Sequence, residues 1–254
     1  MGQRVSIKNE AEIAKMRLAG RVNAEALQEV KALLHPGITT AELDKVAETV
    51  IRDHGGIPTF KGYPGPYPYP ATLTISIDRE MVHGIPSGRV LREGEIVSVD
   101  CGTTLNGFVA DSAFTAGVGE VSKEAARLMR VTKEALYKGI AQMRPKNYLG
   151  DVSFAIQRHV EGHGYHVPRQ YTGHGVGREM HEPPQVPNFG TPGRGLRLQK
   201  GMTIALEPMV LVGTPHTRVL ADRWTVVSRD DSLTAHFEHT IAVTDDEPLV
   251  LTAL

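Results

Sequence analysis

An α+β fold assembled from two similar halves is predicted by three observations: a repeated strand motif, a repeated pair of helices, and a tight hairpin signal between apolar runs. Leu91-Arg92-Glu93-Gly94-Glu95-Ile96-Val97-Ser98-Val99-Asp100 matches Leu198-Gln199-Lys200-Gly201-Met202-Thr203-Ile204-Ala205-Leu206-Glu207 in its Leu, its Gly, its apolar strand and its terminal acid, at an offset of 107 residues. A similar offset relates the helical stretches Asn9–Leu34 and Thr40–His54 to Ser122–Met143 and Asp151–His163. Residues 9–115 and 122–244 therefore read as two α,α,β-hairpin units, related by a pseudo-twofold axis around a central antiparallel sheet. A site on that axis would draw a carboxylate from the same strand of each half, which accounts for the correspondence of Asp100 and Glu207.

Each element carries its own punctuation. Asn9-x-x-Glu12 and Thr39-x-x-Glu42 are capping boxes for the first two helices, Pro36-Gly37 separates them, and Gly55 ends the second. Tyr63-Pro64-Gly65-Pro66-Tyr67-Pro68-Tyr69-Pro70 favours extended backbone in a rigid surface loop whose Tyr residues could line an approach or meet a partner. Glu95–Cys101 and Thr103–Ala113, rich in Val, Thr and Phe, surround Asn106-Gly107, a dipeptide of two-residue type I′ turns. Pro145 and Gly164 close the second pair of helices. Leu233–Val243 alternates, with Leu233, Phe237, Ile241 and Val243 on one face and His236, Glu238 and Thr240 on the other.

Composition sets broad bounds. With 254 residues, 41% of them hydrophobic, residues 1–254 can form one domain with a large core. A net charge of −1 gives no electrostatic footprint for nucleic acid or an anionic membrane. One cysteine allows no internal disulfide and suits a reducing cytoplasm. No stretch is long and apolar enough to span a bilayer, and Met1–Arg17 lacks the apolar centre of a signal peptide.

The chemistry concentrates in Asp100, Asp111, His174, Glu207 and Glu238. Four carboxylates and one imidazole suit hard divalent ions such as Mn²⁺, Fe²⁺, Co²⁺ or Mg²⁺, and two such ions would cancel the four negative charges. If Asn106-Gly107 is the turn, Asp100 lies opposite Ala113 and Gly102 opposite Asp111. The two Asp residues then share a face as diagonal neighbours, with Cβ atoms about 7–8 Å apart. Alone, that pair is compatible with a solvated hairpin. Cys101 points to the other face and reads as a packed thiol. A mid-strand Glu238 is costly to bury unless paired or metal-bound. His83, His174 and His181 are the remaining candidates, and the glycines around His174 suggest close approach of the main chain to a ligand.

Together these motifs resemble the type I methionine aminopeptidases. The residues that carry the likeness are Met81-Val82-His83-Gly84-Ile85-Pro86, Val97-Ser98-Val99-Asp100, Ala110-Asp111-Ser112, Gly173-His174-Gly175-Val176-Gly177, His181-Glu182-Pro183, Leu206-Glu207-Pro208 and Phe237-Glu238-His239-Thr240. His181 and Glu207 are too close in sequence for the helical insertion of the type II enzymes. The resemblance implies the pita-bread fold, two divalent ions per chain (cobalt, manganese, iron or zinc), and removal of the initiator Met when the second residue is small and uncharged. It implies that Asp100 holds one ion, His174 and Glu207 the other, and Asp111 and Glu238 both, with a metal-bridged hydroxide attacking the first peptide bond. His181 would donate to the oxyanion, His83 would steer the scissile nitrogen, and Glu207 would shuttle the proton. Phe60, Tyr63, Met180 and Trp224 would form the slot for the Met side chain, Phe60 and Met180 departing from the commoner Tyr and Phe. Nascent polypeptide N-termini, met at the ribosome, would be the partners of a monomer. Xaa-Pro aminopeptidases and prolidases share the ligand pattern but usually carry an extra N-terminal domain. A non-catalytic binding protein of this fold should have lost ligands, and none is missing here.

Overall fold

The helices start where side-chain oxygens can cap them, in a computed structural model that describes residues 5–254. The expected domain also takes in residues 1–4, which lie outside the described residues. In α1 (Glu10–Ala32) the Asn9 side chain accepts from Glu12 N at 3.0 Å and Glu12 returns a bond to Asn9 N at 3.0 Å. α2 (Thr40–Asp53) repeats the box with Thr39 and Glu42. Such caps satisfy backbone donors the helix itself leaves free, at about 1 kcal/mol each.

The second pair differs from expectation at its ends. α3 (Lys123–Ile140) stops short of Met143, because Gln142 N and Met143 N bond to Gly139 O and Ile140 O, tightening the turn ahead of Pro145. α4 (Leu149–Gly162) begins before Asp151. Tyr148 takes the cap position without a side-chain cap, and Asp151 instead accepts from Tyr148 N at 2.7 Å.

The strands are β1 (Ile57–Pro58), β2 (Leu73–Ile77), β3 (Glu80–Val82), β4 (Ile96–Leu105) and β5 (Phe108–Gly117) in the first half. The second half holds β6 (Thr172–Gly175), β7 (Glu182–Pro187), β8 (Thr203–Leu206), β9 (Met209–Leu211), β10 (Thr217–Val219), β11 (Val226–Ser228), β12 (Thr234–His236), β13 (His239–Ala242) and β14 (Leu249–Val250). Every ladder is antiparallel. β4 pairs β1 and β2 along one edge and β5 along the other, while a five-stranded sheet runs β14-β13-β8-β6-β7. The hairpin register is the one the turn dictates: Asn106 (φ 53) and Gly107 (φ 75) form the turn, and Leu105 faces Phe108.

The internal repeat is physical. Gly94 and Gly201 both adopt left-handed backbone, at φ 87 and 85, and their N–H groups donate at 2.9 Å to Val118 O and Val243 O respectively. A side chain at either position would be strained. The bridges Thr39↔Val90 and Tyr148↔Arg197 join each second helix's cap to the approach of the echoed strand.

The expected strand Leu233–Val243 is broken at Phe237-Glu238. β12 pairs β9 whereas β13 pairs β8, and between β8 and β9 stand Glu207 and Pro208, whose missing N–H cannot serve a continuous ladder. Glu238 pairs across the halves instead, its N donating to Ala113 O at 2.9 Å. On either side, Thr240 Oγ1 accepts from Asp111 N at 2.9 Å and donates to Asp111 O at 2.8 Å, and Thr115 Oγ1 makes the matching pair with His236 N and O at 2.9 and 2.7 Å. Two threonine hydroxyls thus continue the seam that a regular ladder would have made.

One core lies under α3 and α4, a second between α1, α2, β2 and β4. Buried Asn23 of α1 ties the second to the hairpin: its amide donates to Cys101 O and to Thr103 Oγ1 (3.3 Å), and its carbonyl oxygen accepts from Ser112 Oγ. Asn23→Ala should cost about 2–3 kcal/mol, because those groups stay buried without partners. A urea midpoint equal to that of the parent chain would contradict this account of how the hairpin is held.

Candidate metal centre and substrate cavity

Asp100 on β4 and Asp111 on β5 point to the same face, since Asp100 pairs Ala113 and Gly102 pairs Asp111. Cys101, one residue on, is fully buried on the opposite face, where burial pushes its thiol pKa up. β6 carries His174. Its Nδ1–H donates to Gly175 O at 2.9 Å, so the bare Nε2 faces Glu207 Oε1 at 3.5 Å and Asp111 Oδ2 at 3.7 Å. Glu207 caps the end of β8, and Glu238 sits in the break between β12 and β13.

Asp111, His174 and Glu238 each offer a ligand atom within 4.8 Å of the others. Asp100 Oδ1, Asp111 Oδ1 and Glu238 Oε1 are buried with no hydrogen-bond partner. Burial, then mutual repulsion, pushes all four carboxyl groups well above the usual range, and burial pushes His174 down to about 3. Among the described residues no Lys or Arg lines the cavity. Orphaned hard oxygens, one neutral imidazole nitrogen and uncompensated negative charge fit divalent cations.

The glycines beside His174 serve a different purpose from the one expected. A Cβ on Gly173 would lie 2.6 Å from Ala205 O, and one on Gly175 2.3 Å from Pro183 O, so they admit neighbouring backbone and not a ligand.

One cavity of about 140 Å³ collects every residue singled out in the sequence: Asp100, Asp111, His174, Glu207 and Glu238 with His83, His181, Phe60, Tyr63, Met180 and Trp224. An engineered apolar cavity of ~150 Å³ accepts a benzene-sized ligand. The space thus holds a single side chain. Phe60, Met180 and Trp224 make its apolar wall, with Tyr63 beside them. His83 has φ 62, an uncommon conformation for a residue with a side chain, and burial lowers its pKa to about 4.

His181 is held on two sides. The Tyr63 hydroxyl, kept protonated by burial, hydrogen-bonds His181 Nδ1; with the hydroxyl as donor, the ring proton sits on Nε2. The next residue, Glu182, accepts from Arg178 N at 2.7 Å and Glu179 N at 3.3 Å and pairs with the buried ammonium of Lys8. Lys8→Met removes that ammonium and leaves the Glu182 carboxylate without its ion partner. It should destabilise the chain by roughly 3 kcal/mol and raise KM through a looser His181; unchanged stability and KM would show that the pair positions nothing.

Tyr69 and Thr74 also line the cavity, and sequence reasoning gave them no site role. Tyr69 comes from the Tyr/Pro run, which is more than a surface loop: Gly65 packs under Trp224, where a Cβ would lie 2.3 Å from the ring. Tyr67 bonds Asp222 O at 2.9 Å, and Tyr69 meets Trp224 edge-on at 5.1 Å. The run is the outer support of the apolar wall. His236 was placed on the face of Glu238 without a role, and its unpartnered Nε2 lies 3.7 Å from Glu238 Oε2 and 3.9 Å from Glu207 Oε2.

A sequence profile of metallopeptidase family M24 matches residues 14–245. The methionine aminopeptidase of Clostridium acetobutylicum is 50% identical over 249 residues, covering 98% of this chain and 98% of its own. The crystal structure of methionine aminopeptidase from Thermotoga maritima aligns with a TM-score of 0.96 at 45% identity, covering 99% of this chain and all of its own. Prolidase from Pyrococcus furiosus shares the fold at a TM-score of 0.79 and 20% identity, covering 98% of this chain and 65% of its own. With the pita-bread fold in place and this likeness running almost end to end, the chain belongs to metallopeptidase family M24, among its methionine aminopeptidases.

Proposed function

We propose that this chain, acting as one catalytic domain, removes the initiator Met from new polypeptides whose second residue is small and uncharged. The observation that carries the reading is the cavity itself, where three buried carboxylates, the partly buried Glu207 and a buried imidazole share one space with apolar Phe60, Met180 and Trp224. In this reading Asp100 holds one divalent ion, His174 and Glu207 a second, and Asp111 and Glu238 both. Cobalt, manganese, iron and zinc all suit the donor set. When bound, the ions supply a nucleophile ionised near neutral pH and polarise the scissile carbonyl.

The chain's own residues then divide the remaining work. Phe60, Tyr63, Met180 and Trp224 take the thioether side chain, a favourable contact for sulfur against aromatic edges. His181, with Tyr63 donating to its Nδ1, would present Nε2–H to the developing oxyanion. His83, neutral because it is buried, orients the scissile amide nitrogen. Glu207 receives the proton of the attacking water and passes it to the leaving amine. The free α-amino group of the substrate would bind at the centre too, which would limit cleavage to the terminal bond.

The reading also carries a cytoplasmic monomer that meets nascent chains at the ribosome. Its one cysteine, buried and unpaired, is at home in a reducing compartment, and no helix of the described residues is long and apolar enough to cross a membrane. Elemental analysis after dialysis against Mn²⁺ should find two ions per chain at the cavity, and Met-Ala-Ser should be cleaved far faster than Met-Lys-Ser. A single ion lost with Asp111→Ala would sink the dinuclear assignment, and equal cleavage of both peptides would sink the second-residue preference.

A further inference from the structure

Three more ligand-type side chains converge away from the cavity, where α3 and α4 pack. Glu134 stands on α3, while His159 and His163 are one turn apart at the end of α4. Each offers a ligand atom, and the three atoms lie within 4.8 Å of one another. His163 Nδ1–H donates to His159 O at 2.8 Å, which leaves Nε2 as a bare acceptor, the arrangement that orients metal-binding imidazoles elsewhere. His159 Nε2 and Glu134 Oε2 are 3.1 Å apart, and the two imidazole rings are 4.6 Å apart between centroids. Arg130 holds the other Glu134 oxygen at 2.9 Å and fixes the carboxylate in place.

Burial, and then the neighbouring His163, holds the His159 pKa below its usual value, which favours the neutral imidazole that a metal ion needs. Two imidazoles and a carboxylate facing one another, with ligand atoms within 4.8 Å, make a nitrogen-rich donor set of the kind that holds a divalent transition metal. We propose that Glu134, His159 and His163 bind one transition-metal ion of the Zn²⁺, Ni²⁺ or Cu²⁺ class, pinning the end of α4 to α3. Nitrogen-rich ligation separates this site from the carboxylate-rich cavity, because imidazole favours those ions over Mn²⁺ or Mg²⁺. All three ligands are partly exposed, so an ion can reach them without local unfolding.

The full chain dialysed against Zn²⁺ and assayed by elemental analysis tests the site. The parent should bind one ion per chain more than His163→Ala or Glu134→Gln, and the difference of one ion should persist when Asp111→Ala empties the cavity. In the Asp111→Ala background, Zn²⁺ should also raise the thermal midpoint, and the rise should vanish with His163→Gln, a conservative change at a helix end that keeps the fold. Equal zinc content in parent and His163→Gln, with no difference in midpoint, would overturn the proposal.

Discussion

Asp111→Asn is expected to abolish metal-dependent turnover while making the ion-free chain more stable. The substitution keeps shape and removes one of the four clustered carboxyl groups. In the proposed dinuclear centre Asp111 would serve both ions, and its loss would forfeit several kcal/mol of transition-state stabilisation, at least a ~10³-fold loss in kcat/KM. Without ions, however, the native Asp111 carboxyl is raised by burial and by Glu238, so the native state resists its ionisation. Chelated protein therefore binds more protons folded than unfolded, and its stability falls as pH rises above the unfolded carboxylate value of about 4. His83, His174 and His236, all lowered by burial, act in the opposite sense, and their stability is lost as pH falls below about 6.5. Above ~6.5 the imidazoles are neutral in both states and the carboxylates act alone. Thermal midpoints of the chelated chain should fall as pH rises through the range where the raised carboxyl groups ionise, less steeply in Asp111→Asn and far less with ions bound. A flat profile in the chelated parent would contradict the clustered-charge account. Glu238→Ala should likewise lose both ions and turnover.

His181→Ala is expected to lower kcat by about 10²–10³-fold, the usual effect of removing one oxyanion donor, with ion content unchanged. Tyr63→Phe should give a smaller fall, up to about tenfold, because one orienting hydrogen bond is lost while the ring still fills the wall. The split between the two variants is informative. If Tyr63 acts through His181, the double variant should be no worse than His181→Ala alone; additive losses would assign Tyr63 a separate task.

Much of this architecture was legible because local chemistry and tertiary structure agree. The capping boxes at Asn9 and Thr39 and the Asn106-Gly107 turn specify their geometry within a few residues, and the turn fixes by counting which face Asp100 and Asp111 share. The echo of Asp100 in Glu207 is a pattern that survives in the chain itself. What escaped notice depends on partners distant in sequence. The break at Glu238 follows from Pro208 on the facing strand, and the two glycines beside His174 are required by carbonyls of Ala205 and Pro183. Tyr69 reaches the cavity only because Gly65 lets the Tyr/Pro run lie against Trp224. The α4 boundary moved for a local reason, since Asp151 caps from inside the helix a residue that cannot cap itself.

The central claim is metal-dependent release of N-terminal Met, and the most direct measurement offers chelated protein Met-Ala-Ser and Ala-Pro-Ser with Co²⁺, Mn²⁺, Fe²⁺ or Zn²⁺ added back singly. Release of Met from Met-Ala-Ser, absent without ions and restored by at least one of them, with Ala-Pro-Ser left intact, is the predicted result. Cleavage of Ala-Pro-Ser in its place, or no cleavage with any ion, would contradict it.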